Sequence, residues 1–338
     1  MSWLYDAAEF ATDALVLALC VMLVAYFLSR LLRQDKEPGH LQVRILTDKV
    51  KALSHGVRLV AWTKAELKQH RKQQRRLEKK APASKPLVFV LEFEGDLAAS
   101  AVRNLRQEIT AILGAARPGD EVLLRLESSG GAVHGYGLAA SQLQRLRDQN
   151  IHLTVAVDKV AASGGYMMAC VAHEILAAPF AYLGSIGVVA PVPNLHRLLQ
   201  QHGVDYEEMT AGEFKRTVSL LGAITPEGRK KFQEQLEETH LLFKRLVTKH
   251  RPQLKLDQVA TGEHWLGERA LELGLVDRLL VSDDFLLAKM TDHELVQIKY
   301  REPHSLSQRM ARYMGDELDR LALRWWERLG PNVPPLAR

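Results

Sequence analysis

Two serine-glycine-glycine turns carry the residue types of a nucleophile and of an oxyanion site. They occupy residues 129–131 and 163–165, and each is predicted to end a strand and to begin a helix. Glycine lets backbone N–H groups point into a cleft, where they can stabilise a developing oxyanion. A lone serine at such a position is more often a helix cap, but two such turns at one sheet edge favour chemistry. The pattern predicts Ser163 as the nucleophile and the N–H groups of Gly131 and Gly164 as oxyanion donors.

The group that takes the proton of Ser163 is less evident. The chain has 13 histidines, and position along the sequence favours none of them as the base of a serine triad. A lysine serves instead if burial lowers its pKa from about 10.4 to about 7 or 8, which disfavours its charge by about 4 kcal/mol. Lys215 is the candidate, because Phe214 and an apolar run flank it and Arg216 opposes its charge. On composition alone, a surface lysine is the alternative.

The elements that must position these residues alternate between strand and helix from Pro86 onward. The predicted strands are 88–94, 121–127, 152–158, 174–179 and 185–191. The third of them is predicted to end at the serine. The predicted helices are 99–115, a helix from the first glycine turn to about Asp148, and one from Pro226 to about His250 with Thr225 as its N-cap. This order is typical of an α/β fold, a layered domain with a mainly parallel sheet.

Composition limits the class of protein further. The 338 residues are 47% hydrophobic and 25% charged, which is enough to form a sizeable core. The excess of positive charge is concentrated in one stretch and not spread over the chain. The two cysteines, Cys20 and Cys170, are not expected to pair. No spacing typical of metal ligands occurs, so the sequence predicts no metal and no cofactor.

Residues 14–29 near the N-terminus are uncharged and almost wholly apolar. A helix of this length spans about 24 Å, and snorkelling of the flanking Arg30 makes up the difference to a hydrocarbon core of about 30 Å. A cleaved signal peptide is the alternative, but its leader should be basic and this one is acidic. We expect an uncleaved single-pass anchor. Basic residues follow this run and none precede it, which favours the cytoplasm for the rest of the chain.

Segments 34–86 and 301–338 flank the part of the chain that carries the turns. The first ends in a basic run, KAELKQHRKQQRRLEKK, which we interpret as a solvated helix and linker in preference to a surface for anionic lipid headgroups. Few aromatic residues interleave with these charges, so no nucleic acid partner is expected. The second contains a predicted amphipathic helix over 305–329, for which ordinary packing is favoured over lying on a membrane.

Several long blocks resemble the signal-peptide-peptidase A family of serine proteases, in its membrane-anchored SohB branch. The blocks are YGLAASQLQRLR, DKVAASGGYMMAC, AAPFAYLGSIGVV, TAGEFKRT and ATGEHWLGERALELGLVD. They occur in the family's order, and the resemblance extends from the anchor to about Asp284. We therefore predict four parts: 1–33, the tail and transmembrane anchor; 34–86, the basic juxtamembrane segment; 87–300, the protease domain; and 301–338, the C-terminal helix and tail.

The resemblance also assigns roles to the site residues. It implies that Ser163 is the nucleophile and that Lys215, in the block GEFK, is the general base of a Ser-Lys dyad. Gly131 and Gly164 match the oxyanion donors of the family. Ser185, in the block GSIG, is expected to help to orient the lysine.

The fold that the resemblance implies is that of the Clp protease and crotonase superfamily. Clp peptidases carry a histidine in the segment equivalent to 181–191, and this chain has none there, which favours the dyad. The family also implies a peptide or protein substrate with hydrophobic or unfolded segments. It implies a homo-oligomeric ring in which neighbouring subunits can complete one dyad.

The sequence leaves alternatives open for the membrane side of the catalytic domain and for the function. Relatives are usually placed in the bacterial inner membrane facing the periplasm, whereas the charges of this chain favour the cytoplasmic side. A crotonase-like acyl-CoA enzyme and a non-catalytic membrane scaffold of the same fold are the alternatives to a membrane-anchored serine endopeptidase.

Overall fold

The structure is a computed structural model that describes Met22 and residues 39–80 and 85–302. The predicted anchor at 14–29 and the predicted helix at 305–329 lie outside these residues. Within the described ranges, no helix is both long enough and apolar enough to cross a membrane. Residues Leu41–Tyr300 form one compact unit.

Strands and helices alternate along most of this unit. The strands are β1 (His40–Ile45), β2 (Leu87–Glu94), β3 (Glu121–Glu127), β4 (His152–Val157), β5 (Val160–Ala162), β6 (Glu174–Ala177), β7 (Tyr182–Gly184), β8 (His264–Leu266), β9 (Arg278–Leu279) and β10 (Glu294–Arg301). The helices are α1 (Leu46–Ala61), α2 (Lys64–Lys80), α3 (Val102–Ala115), α4 (Val133–Asp148), α5 (Gly164–Ala169), α6 (His196–Gln201), α7 (Pro226–His250), α8 (Leu256–Val259), α9 (Gly267–Glu272) and α10 (Ser282–Lys289).

The strands form two sheets. The larger has seven strands in the order β1-β10-β2-β3-β4-β6-β9, and its pairings from β10 to β9 are parallel. The smaller sheet pairs β5 with β7 in parallel and β7 with β8 in antiparallel orientation. The predicted α/β fold with a mainly parallel sheet is therefore confirmed.

Strand β2 shows why the central strands are rich in apolar residues. Its residues alternate between two buried faces, and a strand that is covered on both sides needs apolar side chains on both. Phe89 and Leu91 pack with residues of α3 and α4 on one face. Val88 and Val90 pack on the other face, against a smaller cluster that includes Phe285 of α10.

Helix α7 begins where the sequence predicts. The side chain of Thr225 accepts a hydrogen bond from the N–H of Gly228 at 3.0 Å, and Pro226 occupies the first turn. The cap satisfies a donor that has no partner within the helix, and proline has no N–H to satisfy there.

The strand that leads to Ser163 differs from the prediction. Strand β4 ends at Val157, and the serine follows β5, which belongs to the second sheet. Asp158 lies at the break, where its carboxylate accepts the N–H of Ser282 at 2.8 Å. The chain thus leaves the main sheet before it reaches the serine.

The predicted strand at 185–191 is wrong. Strand β7 lies earlier, at Tyr182–Gly184. Gly184 has a φ of 98° and Ser185 a φ of 52°, and an extended strand does not continue through these left-handed values. Beyond them Ile186 still packs in the core, but Val189 is 87% exposed.

Helix α3 begins at Val102 and not at residue 99. Ala99 has a φ of 53°, which does not belong to a right-handed helix. The carboxylate of Asp96 accepts the N–H of Ser100 at 2.7 Å and thereby closes a turn ahead of the helix.

The basic segment is helical, in line with its favoured interpretation. Thr63 and Glu66 form a capping box at the start of α2, in which the Glu66 carboxylate accepts the Thr63 N–H at 2.7 Å and the Thr63 hydroxyl accepts the Glu66 N–H at 3.4 Å. Ahead of it, β1 forms an edge of the main sheet. The four-part division of the chain stays a prediction.

Candidate active site

Ser163 lies between β5 and α5 in a conformation that a serine usually avoids. Its φ is 51° and its ψ is −117°, and a left-handed φ at a residue with a side chain costs about 1–3 kcal/mol. Two hydrogen bonds hold it there: its N–H donates to the Gly184 carbonyl at 2.8 Å, and the Met167 N–H donates to its carbonyl at 2.9 Å. The Ser163 side chain forms no capping bond to α5, so the helix-cap alternative does not apply.

The two glycine turns are in direct contact. A Cβ atom placed on Gly130 would lie 2.7 Å from the Cβ of Ser163 and 2.8 Å from the N of Gly164. The contact follows from pairing between Ser128 and β5, because the Ser128 N–H donates to the Val160 carbonyl at 2.9 Å and the Ala162 N–H donates back to Ser128 at 3.0 Å. The two turns therefore meet as expected, although the second follows a strand of the smaller sheet.

Gly131 and Gly164 both sit where a side chain has no room. A Cβ on Gly131 would overlap the carbonyl of Leu97, and one on Gly164 would lie 2.6 Å from the Cδ2 atom of Tyr136. The Gly164 N–H is the first of helix α5 and has no acceptor within the helix. Both positions therefore admit only glycine. Gly164 directly follows Ser163, and Gly131 directly follows Gly130, which contacts the serine.

Two other reactive side chains are structural in this fold. Burial raises the pKa of the Cys170 thiol to about 12, which keeps it protonated and unreactive. Burial lowers the pKa of His173 to about 4, and the charge of Arg147 contributes in the same direction. The Nδ1 atom of His173 accepts the Leu153 N–H at 3.0 Å, so this ring nitrogen is occupied by the backbone.

Lys215 lies on an irregular, exposed segment of the same chain. Its N–H donates to the Gly212 carbonyl at 3.1 Å. In the described part of the chain, no hydrogen bond joins its amine to Ser163 or to Ser185. Its neighbour Phe214 lies under the Lys231 amine, 5.5 Å from the ring centroid. A single chain thus assembles the serine and the glycine turns but leaves the lysine in solvent.

Ser185 follows β7, directly after the residue whose carbonyl holds Ser163. Its N–H donates to the Glu263 carbonyl at 2.6 Å, and its hydroxyl donates to the Gly262 carbonyl at 3.3 Å. The structure therefore places Ser185 beside the backbone of the nucleophile. The predicted role in orienting Lys215 stays a prediction.

The segment that carries Lys215 exposes many large apolar side chains. Met209 is 92% exposed, and helix α7 also carries exposed apolar residues. The exposed large apolar residues from 189 to 242 also include Val189, Val192, Leu195, Leu198, Val204, Tyr206, Phe214, Leu220, Leu241 and Leu242. Monomeric proteins rarely expose so many large apolar residues along one stretch of chain. Such exposure is typical of a surface that is covered in a protein–protein interface.

Ser128 and Tyr136 were not identified from the sequence, although both adjoin the site. The Ser128 hydroxyl lies 2.6 Å from the Tyr136 hydroxyl, and the Gly130 N–H donates to Ser128 at 3.1 Å. Tyr136 is fully buried on the inner face of α4. A tyrosine on the apolar face of a predicted helix is interpreted as an ordinary core residue, so the sequence gives no separate signal for a role at the site.

Two family profiles together match most of the chain. Residues 2–143 match the N-terminal region of peptidase family S49, and residues 145–296 match peptidase family S49 itself. This chain belongs to peptidase family S49. Gly131 lies in the first match, and Ser163, Gly164, Ser185 and Lys215 lie in the second.

The relatives of this S49 chain include several proteins named SohB. A probable protease SohB of Haemophilus influenzae is 59% identical over 228 residues, which are 68% of this chain and 65% of that protein. A putative protease SohB of Buchnera aphidicola subsp. Baizongia pistaciae is 39% identical over 324 residues, or 90% of this chain and 93% of that protein. Protease 4 of Salmonella typhi is 29% identical over 192 residues, or 56% of this chain and 30% of that protein. The match thus spans just under two thirds of the Haemophilus protein, and the resemblance to the SohB branch is confirmed.

Proposed function

We propose that this S49 chain is a membrane-anchored serine endopeptidase with Ser163 as its nucleophile. The observation that carries the proposal is the left-handed turn at Ser163, which lies against Gly130 and is followed by Gly164, a position that admits no side chain. The strain at the serine is maintained by surrounding hydrogen bonds, and such strain is typical of reactive residues.

The proposed reaction proceeds through an acyl-enzyme. Neutral Lys215 takes the proton of the Ser163 hydroxyl, and the serine oxygen attacks a peptide carbonyl. The negative charge that develops on the carbonyl oxygen is stabilised by the N–H groups of Gly131 and Gly164. The protonated lysine then gives its proton to the leaving amine, and water hydrolyses the ester.

The lysine in this proposal comes from a neighbouring subunit. A lysine serves as a base only where it is shielded from water, and Lys215 is exposed within its own chain. Because the segment around it is apolar, association with a second copy would bury both the segment and the amine. A homo-oligomeric ring built on a Clp/crotonase-like domain satisfies both requirements.

The proposed substrates are hydrophobic or unfolded segments of peptides and proteins, held near a bacterial inner membrane by residues 14–29. The uncharged apolar run at 14–29 supports the anchor. Two arguments about the side of the membrane on which the catalytic domain lies oppose each other: the flanking charges favour the cytoplasm, and the resemblance favours the periplasm. A reporter fused to the C-terminus, active on only one side, decides between them.

A non-catalytic scaffold is the second candidate, and the solvent exposure of Lys215 is the observation that favours it. A crotonase-like acyl-CoA enzyme has no such support, since membership of a peptidase family points elsewhere.

The Ser163→Ala substitution tests the proposal directly. We expect loss of cleavage of an unfolded, fluorescently quenched casein by at least about 10³-fold, because the covalent intermediate cannot form. Wild-type protein should also take up a fluorophosphonate at one serine, and the variant should not. Ser141→Ala, on the exposed face of α4, is the matched control and should keep full activity. A wild-type protein without turnover or labelling supports the scaffold, and unchanged turnover in Ser163→Ala refutes the assigned nucleophile.

A further inference from the structure

We propose that Tyr136 is a positioning residue that sets both oxyanion donors, an inference that rests on the proposed function. Three hydrogen bonds run in series beside the site. The Gly130 N–H donates to the Ser128 hydroxyl at 3.1 Å, that hydroxyl lies 2.6 Å from the Tyr136 hydroxyl, and the Tyr136 hydroxyl donates to the Asp96 carbonyl at 2.8 Å.

The two ends of this series fix its direction. An amide N–H only donates and a carbonyl only accepts, so the Tyr136 proton goes to Asp96 and the Ser128 proton goes to Tyr136. Both hydroxyls are fully used in this arrangement. Ser128 is 2% exposed, and with its hydroxyl occupied and buried it is no rival nucleophile to Ser163.

The hydrogen-bonded series fixes the residue before Gly131, and a single backbone hydrogen bond fixes the residue after it. On one side Gly130 is tied through Ser128 and Tyr136 to the carbonyl of Asp96. On the other side the Ala132 N–H donates to the carbonyl of Leu97 at 2.8 Å. The residues before and after Gly131 are therefore both fixed to one short loop, and the direction of the Gly131 N–H is fixed with them.

The ring of Tyr136 contacts the second turn. A Cβ on Gly164 would lie 2.6 Å from the Cδ2 atom of Tyr136 and 2.9 Å from its Cβ atom, so backbone and ring are packed without a gap. Phe93 supports the ring from β2, with centroids 6.3 Å apart at an angle of 66°. One side chain thus supports the first turn through the Ser128 hydroxyl and contacts the second turn through its ring.

Tyr136 acts through the glycines and touches no reacting atom. Tyr136→Phe keeps the ring but leaves the Ser128 hydroxyl without its acceptor and the Asp96 carbonyl without its donor, in a buried place. The first turn can then move, and an oxyanion donor that moves by a fraction of its bond length loses most of its effect. We expect kcat on quenched casein to fall by about 10- to 100-fold while KM stays within about twofold, because substrate is bound before charge develops.

Tyr166→Phe provides a matched control. Tyr166 is also fully buried, lies on α5 close to Ser163 in sequence, and donates its hydroxyl to the Leu275 carbonyl at 2.9 Å. Its removal costs one buried hydrogen bond without touching either turn. We expect both variants to lower Tm, Tyr136→Phe more because it leaves two buried groups without partners, and kcat of Tyr166→Phe to stay within about twofold of the wild type.

Ser128→Ala and the double variant complete the experiment. If Ser128 and Tyr136 act in one series, Ser128→Ala lowers kcat like Tyr136→Phe, and the double variant is no worse than the more damaging single one. Should Tyr136→Phe fail to fold, Ser128→Ala decides by the same criterion. Equal kcat in Tyr136→Phe and Tyr166→Phe, or a loss confined to KM, overturns the positioning role while Ser163→Ala remains inactive. Full turnover by Ser163→Ala overturns this inference together with the proposed function.

Discussion

Backbone angles at a few residues decide the chemistry of this site. Ser163 has a φ of 51° and Gly130 a φ of 96°, and the Gly130 Cα lies so close to the serine that a single added carbon would overlap it. The Ser163 hydroxyl, the proposed nucleophile, makes no side-chain cap bond to α5, so this backbone contact sets its position. We therefore predict that a methyl group added to Gly130 is enough to abolish activity.

Gly130→Ala tests that prediction. The new Cβ would lie 2.7 Å from the Cβ of Ser163, at a φ that L-residues disfavour. We expect a loss of about 2–4 kcal/mol in the free energy of unfolding and a loss of turnover larger than stability explains. Gly137→Ala is the control, because nothing lies within 4 Å of its added Cβ on helix α4. It should be neutral or stabilise by up to about 1 kcal/mol, and equal activity in the two variants would contradict the account.

The sequence offers candidates for the reactive residues but no signal for the residues that support them. Ser163, Gly131 and Gly164 follow from the spacing of two glycine turns, and the structure brings those turns together. Ser128 and Tyr136 escape prediction because a buried serine and tyrosine look like turn and core. Their hydrogen-bonded series exists only once β3, β5 and α4 have packed.

At the scale of elements, burial decides which predictions hold. Strands β2, β3 and β4 were predicted nearly to their ends, because each is covered on at least one face and its apolar pattern reports that burial. The segment at 185–191 is as apolar, but left-handed residues precede it and Val189 faces solvent in the chain. An apolar run indicates that its side chains will be buried. It does not indicate whether a sheet of the same chain or another subunit buries them.

Glu108 joins two of these elements and gives the fold a dependence on pH. Its carboxylate lies on α3, is 4% exposed, and accepts the Tyr300 N–H of β10 at 2.8 Å. Burial raises the pKa of Glu108 to about 7, partly offset by that hydrogen bond and by Lys299. The folded chain thus holds this proton between pH 4.5 and 7, where the unfolded chain has released it, so stability falls as pH rises through this window.

Glu108→Gln should remove this pH dependence. The amide oxygen can still accept the Tyr300 N–H, and no charge is buried. We expect the variant to match the wild type at pH 5 and to exceed it by up to about 3 kcal/mol at pH 8 in urea unfolding. Glu234→Gln, at an exposed ion pair with Lys231, should follow the wild type at both values. Parallel curves for Glu108→Gln and the wild type would show that the carboxyl ionises freely in the fold.

At the scale of the whole molecule, one chain holds an incomplete set of groups. Ser163 and the glycine turns are assembled, whereas Lys215 lies in solvent on a segment rich in exposed apolar residues. The sequence identifies the lysine through a family block but cannot show what covers it, because an interface between copies leaves no pattern distinct from a core. A second subunit that covers this segment would supply both the dry environment and the base.

The most direct measurement mixes two inactive variants. Ser163→Ala and Lys215→Ala chains are co-expressed with different tags, and particles that contain both are purified and assayed on quenched casein. If the dyad forms between neighbours, random assembly pairs an intact serine with an intact lysine at about one contact in four, so roughly a quarter of wild-type activity should return. Mixed particles as inactive as either variant alone would contradict a dyad formed between subunits.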